Sequence, residues 1–176
     1  MSTAAAALAR CPVVVVPDDD RVQTPDASIV VGVDESPEAQ LAIGFAFEEA
    51  AIRSVGLTAV RVWTPPLPGW WGDVDQHILH TAERATAERN VLQSALHGWA
   101  DKYPGVAVRT GLTAGDTGPA LALLARYAQL VVVGVHRTSR LHRQPGSVSR
   151  HLLRYAACPV ALVRELSVLN AMPTVR

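Results

Sequence analysis

The sequence predicts an α/β domain built on a parallel sheet, and three observations predict it. Helical patterns alternate with strand-like segments along the chain. The strand-like segments are continuous β-branched runs such as SIVVGV and LVVVGV, typical of strands buried on both faces. The 176 residues are 49% hydrophobic and 18% charged, which suits one buried-core domain and excludes a disordered chain.

Five strands are predicted for the sheet, with a helix between most consecutive pairs. They cover residues 28–33, 57–63, 106–112, 130–135 and 159–163. Helical crossovers between neighbouring strands in a sheet are right-handed and connect parallel strands. The sequence therefore predicts a five-stranded parallel sheet with helices on both faces.

Two helices are predicted from apolar residues at helical spacing, and the second is expected to pack on the sheet. Ser36-Pro37 is an N-cap followed by proline at the first helical position, and Leu41, Phe45 and Ile52 follow at helical spacing. A longer helix is expected from Asp75. Its apolar stripe consists of Ile78, Ala82, Ala85, Leu92, Leu96 and Trp99, with Arg89 as an interruption.

An extra strand is predicted at residues 11–16, where CPVVVV forms a fully apolar run. It resembles CPVALV at 158–163, an internal repeat separated by about one domain length. The last strand of the sheet would otherwise present a bare apolar edge. We therefore expect residues 11–16 to pair antiparallel with residues 159–163, within one chain or exchanged between two.

The net charge limits which classes of binding partner are expected. Sixteen Lys and Arg residues and sixteen Asp and Glu residues give a formal net charge of zero. A neutral total predicts no bulk attraction to nucleic acid or to a membrane surface. No apolar run approaches the ~20 residues of a membrane span, and no signal-peptide pattern is present. The expectation is a cytoplasmic protein.

A motif lies between residues 130 and 164. Gly134 ends an apolar run, Gly146-Ser147-Val148-Ser149 opens a helical pattern, and Cys158-Pro159 follows that helix. This stretch resembles the C-terminal signature of the universal stress protein family, in which Gly-x-x-Gly, nine residues and Gly-Ser or Gly-Thr hold ATP phosphates. The resemblance implies an adenine nucleotide alpha hydrolase-like fold with strand order 3-2-1-4-5.

The resemblance also implies a set of ATP-binding residues, with Mg²⁺ as a candidate companion ion. They are Gly32, Val33, Asp34, Val62, Gly134, His136, Arg137, Gly146, Ser147, Val148 and Ser149. Several of them have a structural alternative: Asp34 as a turn residue before Ser36, Ser147 as a helix cap, and His136 and Arg137 as part of a solvated loop. The histidines show no metal-ligand spacing, and no catalytic residue is predicted.

The middle of the motif departs from the family pattern. Arg137 stands where the second glycine is expected, and Gly146 follows Gly134 by 12 residues, where the pattern has 13. Two functions therefore stay open: an ATP-binding regulatory module of a stress response, or a dimerisation and interaction module that has lost nucleotide binding. An enzyme such as a slow ATP hydrolase is a third reading, although no residue pair supplies a general base near the phosphates.

The resemblance divides the chain into three parts. Residues 1–27 resemble the end of a preceding domain in a tandem universal stress protein, residues 28–166 form the domain, and residues 167–176 form a tail. The family also implies a homodimer through the last strand. Strand complementation by residues 11–16 is the alternative use of that edge.

Overall fold

The computed structural model describes residues 11–17, 26–65, 74–135 and 146–164, the side chains of 74–79 excepted. The strands in these ranges are β1 Val13–Val15, β2 Ile29–Gly32, β3 Leu57–Trp63, β4 Val108–Ala114, β5 Leu130–Gly134 and β6 Val160–Val163. The helices are α1 Pro37–Arg53, α2 Val74–Leu96, α3 Trp99–Lys102, α4 Thr117–Leu124 and α5 Ser147–Tyr155, with a 3-10 turn at Ala125–Tyr127.

The strands form one mixed sheet in the order β1-β6-β5-β2-β3-β4. Strands β2 to β6 are parallel to one another, so the predicted order 3-2-1-4-5 is confirmed. β1 is the extra strand, antiparallel to β6 with Val14 opposite Ala161. The pairing forms within one chain, and both cysteines are free.

Helices cover both faces of the sheet, as predicted. α1 and α2 pack on one face, where Phe47 and Leu92 meet strand residues such as Ile29. α4 and α5 pack on the other face, where Leu121 and Leu152 are fully buried. We call these the first layer (α1 and α2) and the second layer (α4 and α5). β2, β5 and β6 contribute alternate residues to the two cores, which explains their uninterrupted apolar sequences.

Of the three apolar residues that the sequence places at helical spacing on α1, only Phe45 packs against the core. Leu41 is 41% exposed and Ile52 71% exposed, and Phe45 is only half-buried. The face on the sheet instead consists of Ala39, Ala42, Ile43, Ala46, Phe47 and Ala50. Small alanines lower the apparent hydrophobicity of this face, yet they allow the helix axis to approach the sheet closely.

Two further boundaries differ from the prediction. β4 runs from Val108 to Ala114 instead of 106–112, because Val106 donates its N–H to Tyr103 in a turn before the strand. The long helix ends at Leu96, and Gly98 adopts φ 80° before α3. Trp99 therefore belongs to α3, where it stacks with Phe47 at a ring-centroid distance of 6.0 Å.

Candidate functional site

The candidate site lies at the carboxyl ends of β2 and β5, which are neighbours in the middle of the sheet. The chain leaves β2 through Val33, whose N–H donates to the Val60 carbonyl at 2.9 Å. It leaves β5 through Val135, whose N–H donates to the Val163 carbonyl at 2.8 Å. From here the crossovers pass to opposite faces of the sheet, α1 to one side and α5 to the other. Ligands of open parallel sheets bind at such a switch point.

Asp34 follows β2 at this edge, and its carboxylate is exposed. Its Oδ1 accepts hydrogen bonds from the Ser36 backbone N–H at 2.9 Å and from the Ser36 hydroxyl. The Ser36 hydroxyl oxygen in turn accepts from the N–H of Ala39 at 3.1 Å, as the N-cap of α1. The predicted turn role of Asp34 is therefore present. Because both bonds use Oδ1, Oδ2 takes no part in this turn.

The glycines at the two strand ends are in close contact with protein. A Cβ at Gly134 would lie 2.7 Å from the Glu38 carbonyl carbon, so this glycine lets the first turn of α1 cross β5. A Cβ at Gly32 would lie 2.8 Å from Leu121 Cδ1 on α4. Helix packing accounts for both glycines, and close approach of a ligand to their backbone stays a prediction.

Helix α5 begins at Gly146-Ser147. Gly146 is its N-cap, with no side-chain cap hydrogen bond, and the Arg150 N–H donates to the Gly146 carbonyl at 3.0 Å. The alternative that Ser147 caps this helix is therefore wrong, since Ser147 is the first helical residue and exposed. Val148 is half-buried and Ser149 is buried. The first amides of a helix lack intrahelical acceptors and favour an anion.

The remaining predicted site residues divide into two groups. Val62, on β3, is half-buried and packs toward the second layer. His136 and Arg137 lie outside the described residues, so the departure at Arg137 stays a sequence observation. The described residues thus bring Gly32, Val33, Asp34 and Gly134 to one edge of the sheet.

An ion-pair cluster beside this edge was missed from the sequence. Arg61 of β3 is buried, and its Nε donates to Glu88 Oε2 at 2.5 Å. Arg84 Nε donates to Glu88 Oε1 at 3.2 Å, and Arg61 Nη2 lies 3.7 Å from Glu35 Oε1. The signal was an arginine inside the apolar run 57–63, since a buried charge requires a partner.

The cluster perturbs one pKa. The hydrogen bond from Arg61, with a smaller contribution from Arg84, lowers the pKa of Glu88 below its ordinary value of 4.5. Arg61 also connects Glu35, the neighbour of Asp34, to α2. We interpret the cluster as a support for the β2 end of the site.

The described ranges show neither a cluster of metal ligands nor a membrane-spanning helix. They contain no group of three or more His, Cys, Asp or Glu side chains arranged to hold a metal ion. They also contain no helix with the length and apolar character needed to cross a bilayer.

Comparisons with known proteins agree with this fold. The model of the universal stress protein family matches residues 27–164. One universal stress protein of Mycobacterium tuberculosis strain H37Rv is 39% identical over 166 residues, which are 89% of this chain and 52% of that protein. A second from the same strain is 36% identical over 155 residues, 87% of this chain and 49% of that protein. The chain thus spans about half the length of the curated relatives it matches.

Solved structures show the same architecture. Universal stress protein UspA from Lactobacillus plantarum is similar with a TM-score of 0.62 and 24% identity, over 81% of this chain and 100% of that chain. A universal stress protein from Archaeoglobus fulgidus is similar with a TM-score of 0.50 and 24% identity, over 78% of this chain and 98% of that chain.

Proposed function

The chain belongs to the universal stress protein family, and from that premise we propose that it is an adenine-nucleotide-binding regulatory module of a stress response. One observation carries the proposal. The exposed Asp34 and the amide-rich start of α5 follow the two strands that meet at the switch point of the sheet. A nucleotide has a polar sugar and an anionic phosphate chain, and this edge offers a carboxylate for the first and helix amides for the second.

In the proposed complex, Asp34 accepts a ribose or adenine hydrogen bond through Oδ2 while Oδ1 keeps the turn at Ser36. The backbone at Val62 contacts adenine. The phosphates lie over Gly134 and the first amides of α5, and ATP with Mg²⁺ is the expected ligand. No general base for hydrolysis is assigned, so the proposal is one of binding and not of turnover.

The test is a thermal shift and calorimetric titration with a panel of adenine and guanine nucleotides. A ligand at 100 times its Kd stabilises the folded state by ~2.7 kcal/mol, which raises the Tm of a chain of this size by about 5–10 °C. Asp34→Asn keeps an acceptor for the Ser36 turn and removes the charge, so it should weaken ATP binding with little change in stability.

Asp116→Asn is the matched control. Asp116 is an exposed aspartate before α4, and its side chain makes no cap hydrogen bond. Equal affinities of the Asp34 and Asp116 variants would show that the nucleotide does not contact Asp34.

The second candidate is an interaction module without nucleotide. The sequence favours it at one point, Arg137 in place of the motif's second glycine with one residue fewer in the loop. Melting that is unaltered by the whole panel would support this reading. Arg137→Gly with one inserted residue should then raise ATP affinity, and an unchanged affinity would mean that the loop is not the defect.

We further propose that the segment containing β1 corresponds to the last strand of a preceding domain. Its CPV motif repeats that of β6, its antiparallel pairing covers the β6 edge, and the family model begins at residue 27. Deletion of residues 1–20 should expose β6 and cause dimerisation or aggregation, measured by light scattering. Unchanged mass, solubility and melting point of the truncated protein would contradict strand complementation.

A further inference from the structure

The charged residues are strongly segregated along this neutral chain. Residues 117–164 contain seven arginines and no aspartate or glutamate, so their formal charge is +7. The rest of the chain has a formal charge of −7. The zero total that predicted no attraction to nucleic acid is therefore an average over two opposite parts. Local fields depend on where charges lie, and not on their sum.

The structure places the described part of the positive stretch mainly in the second layer. Arg126 lies in the 3-10 turn after α4, and Arg150 and Arg154 lie four residues apart on α5, on the same side of that helix. All three are exposed. The nearest preceding acid is Asp116, the N-cap of α4. The second layer therefore has a positively charged surface without internal neutralisation by carboxylates.

Exposed aromatic rings lie among these arginines. Tyr155 is 57% exposed, its ring centroid is 4.7 Å from that of His151, and the Arg154 guanidinium carbon is 5.5 Å from the Tyr155 centroid. Tyr127 is 73% exposed and adjacent to Arg126. We define the basic face as Arg126, Tyr127, Arg150, Arg154 and Tyr155.

We propose that the basic face binds single-stranded nucleic acid, independently of the nucleotide site. Its arginines would contact phosphates, and its exposed tyrosines would stack on bases, the combination that sequence-tolerant single-strand binding requires. A membrane is a poorer partner because the apolar side of α5 is buried against the sheet through Leu152. The exposed residues of α5 are Ser147, Arg150, Arg154 and Tyr155, so this helix presents no aliphatic face to a lipid interface.

The test is fluorescence anisotropy of a labelled oligo-uridine titrated with the whole chain at several salt concentrations. The double variant Arg150→Glu/Arg154→Glu should weaken binding at least tenfold at low salt. Loss of two phosphate contacts should also make the slope of log K against log salt shallower by about 1.4. Tyr155→Leu should weaken binding about fivefold or more and leave the slope unchanged, since stacking involves no ion release.

The matched control is Arg89→Glu/Lys102→Glu, which makes the same charge change at exposed positions outside the second layer. It should stay within twofold of the parent chain, and circular dichroism verifies that all variants are folded. Three results would overturn the proposal: equal weakening by the control, binding to phosphatidylserine vesicles but not to oligo-uridine, or no binding at low salt. Competition by excess ATP would also overturn it by placing the oligonucleotide in the nucleotide site.

Discussion

The two helical layers use charge in different ways. In the first layer, acids and bases are mixed, and Glu88 of α2 forms a buried pair with Arg61 of β3. In the second layer, Arg150 and Arg154 of α5 are exposed, and the interior against the sheet is mainly apolar. The first arrangement stabilises the domain locally, and the second leaves charge available for a partner. Composition cannot distinguish these uses, because both layers contribute to the same neutral total.

The largest expected effect concerns the buried pair of the first layer. Glu88→Leu leaves the Arg61 guanidinium buried without its main acceptor, which should destabilise the domain by about 3 kcal/mol. For a chain of this size the Tm should fall by about 6–12 °C in a calorimetric scan. The double variant Arg61→Met/Glu88→Leu removes both charges and should recover most of the loss. A single variant that melts with the parent protein would show that the pair is not coupled to folding.

The same pair predicts a direction of pH dependence. Because the pKa of Glu88 is lowered in the folded state, its contribution to stability is fully present above 4.5 and is lost as the pH falls below that value. The free energy of unfolding, measured by urea titration, should therefore decrease less steeply with acid in Arg61→Met/Glu88→Leu than in the parent. Identical pH profiles would contradict the assignment.

An intermediate effect on stability is expected when a glycine in close contact with α1 is replaced, compared with a glycine in open space before α5. A Cβ at Gly134 would approach the backbone of α1 within 2.8 Å at both Glu38 carbonyl atoms, whereas a Cβ at Gly146, before α5, meets nothing within 4 Å. Gly134→Ala should therefore cost about 2 kcal/mol by forcing α1 away from the sheet. Gly146→Ala, the control, should cost at most about 1 kcal/mol, the typical penalty for replacing a cap residue. Equal unfolding midpoints in urea would refute the close contact.

The smallest effect on stability is expected at the cysteines, but the two thiols should differ clearly in reactivity. Burial in the second layer raises the pKa of Cys158 to about 11, whereas Cys11 is exposed. At pH 8 a thiol reagent should modify one cysteine per folded chain and two after unfolding, because the thiolate is the reactive form. Cys11→Ser should abolish the reaction of the folded chain. Rapid labelling of that variant would mean that the second-layer core opens readily.

Much of the fold followed from the sequence because β2, β5 and β6 are buried on both faces and read as unbroken apolar runs. The packing face of α1 did not follow from the sequence, because four alanines with Ile43 and Phe47 form it, and not Leu41 or Ile52. β4 was displaced by two residues because it is an edge strand with many exposed side chains, so its pattern has no sharp limits. In such segments hydrophobicity alone does not define the element.

Only part of the candidate site could be predicted from the sequence. Asp34 could be located because strand ends and helix caps have local signatures. The Arg61–Glu88 pair joins residues 27 positions apart on β3 and α2. The sequences of these two elements do not specify which acidic residue pairs with Arg61. The second glycine of the motif stays a prediction, because Arg137 lies outside the described residues.

The pairing of β1 with β6 has a kinetic consequence. Val13 and Leu162 are partners separated by 149 residues, nearly the whole chain. Closing so long a loop is entropically costly, and contacts of high sequence separation slow folding. With only three residue pairs, β1 gains little from docking before β6 is in place. We expect the parallel sheet to form first and β1 to be added in the final step, so that amides of β1 exchange with solvent well before those of β5.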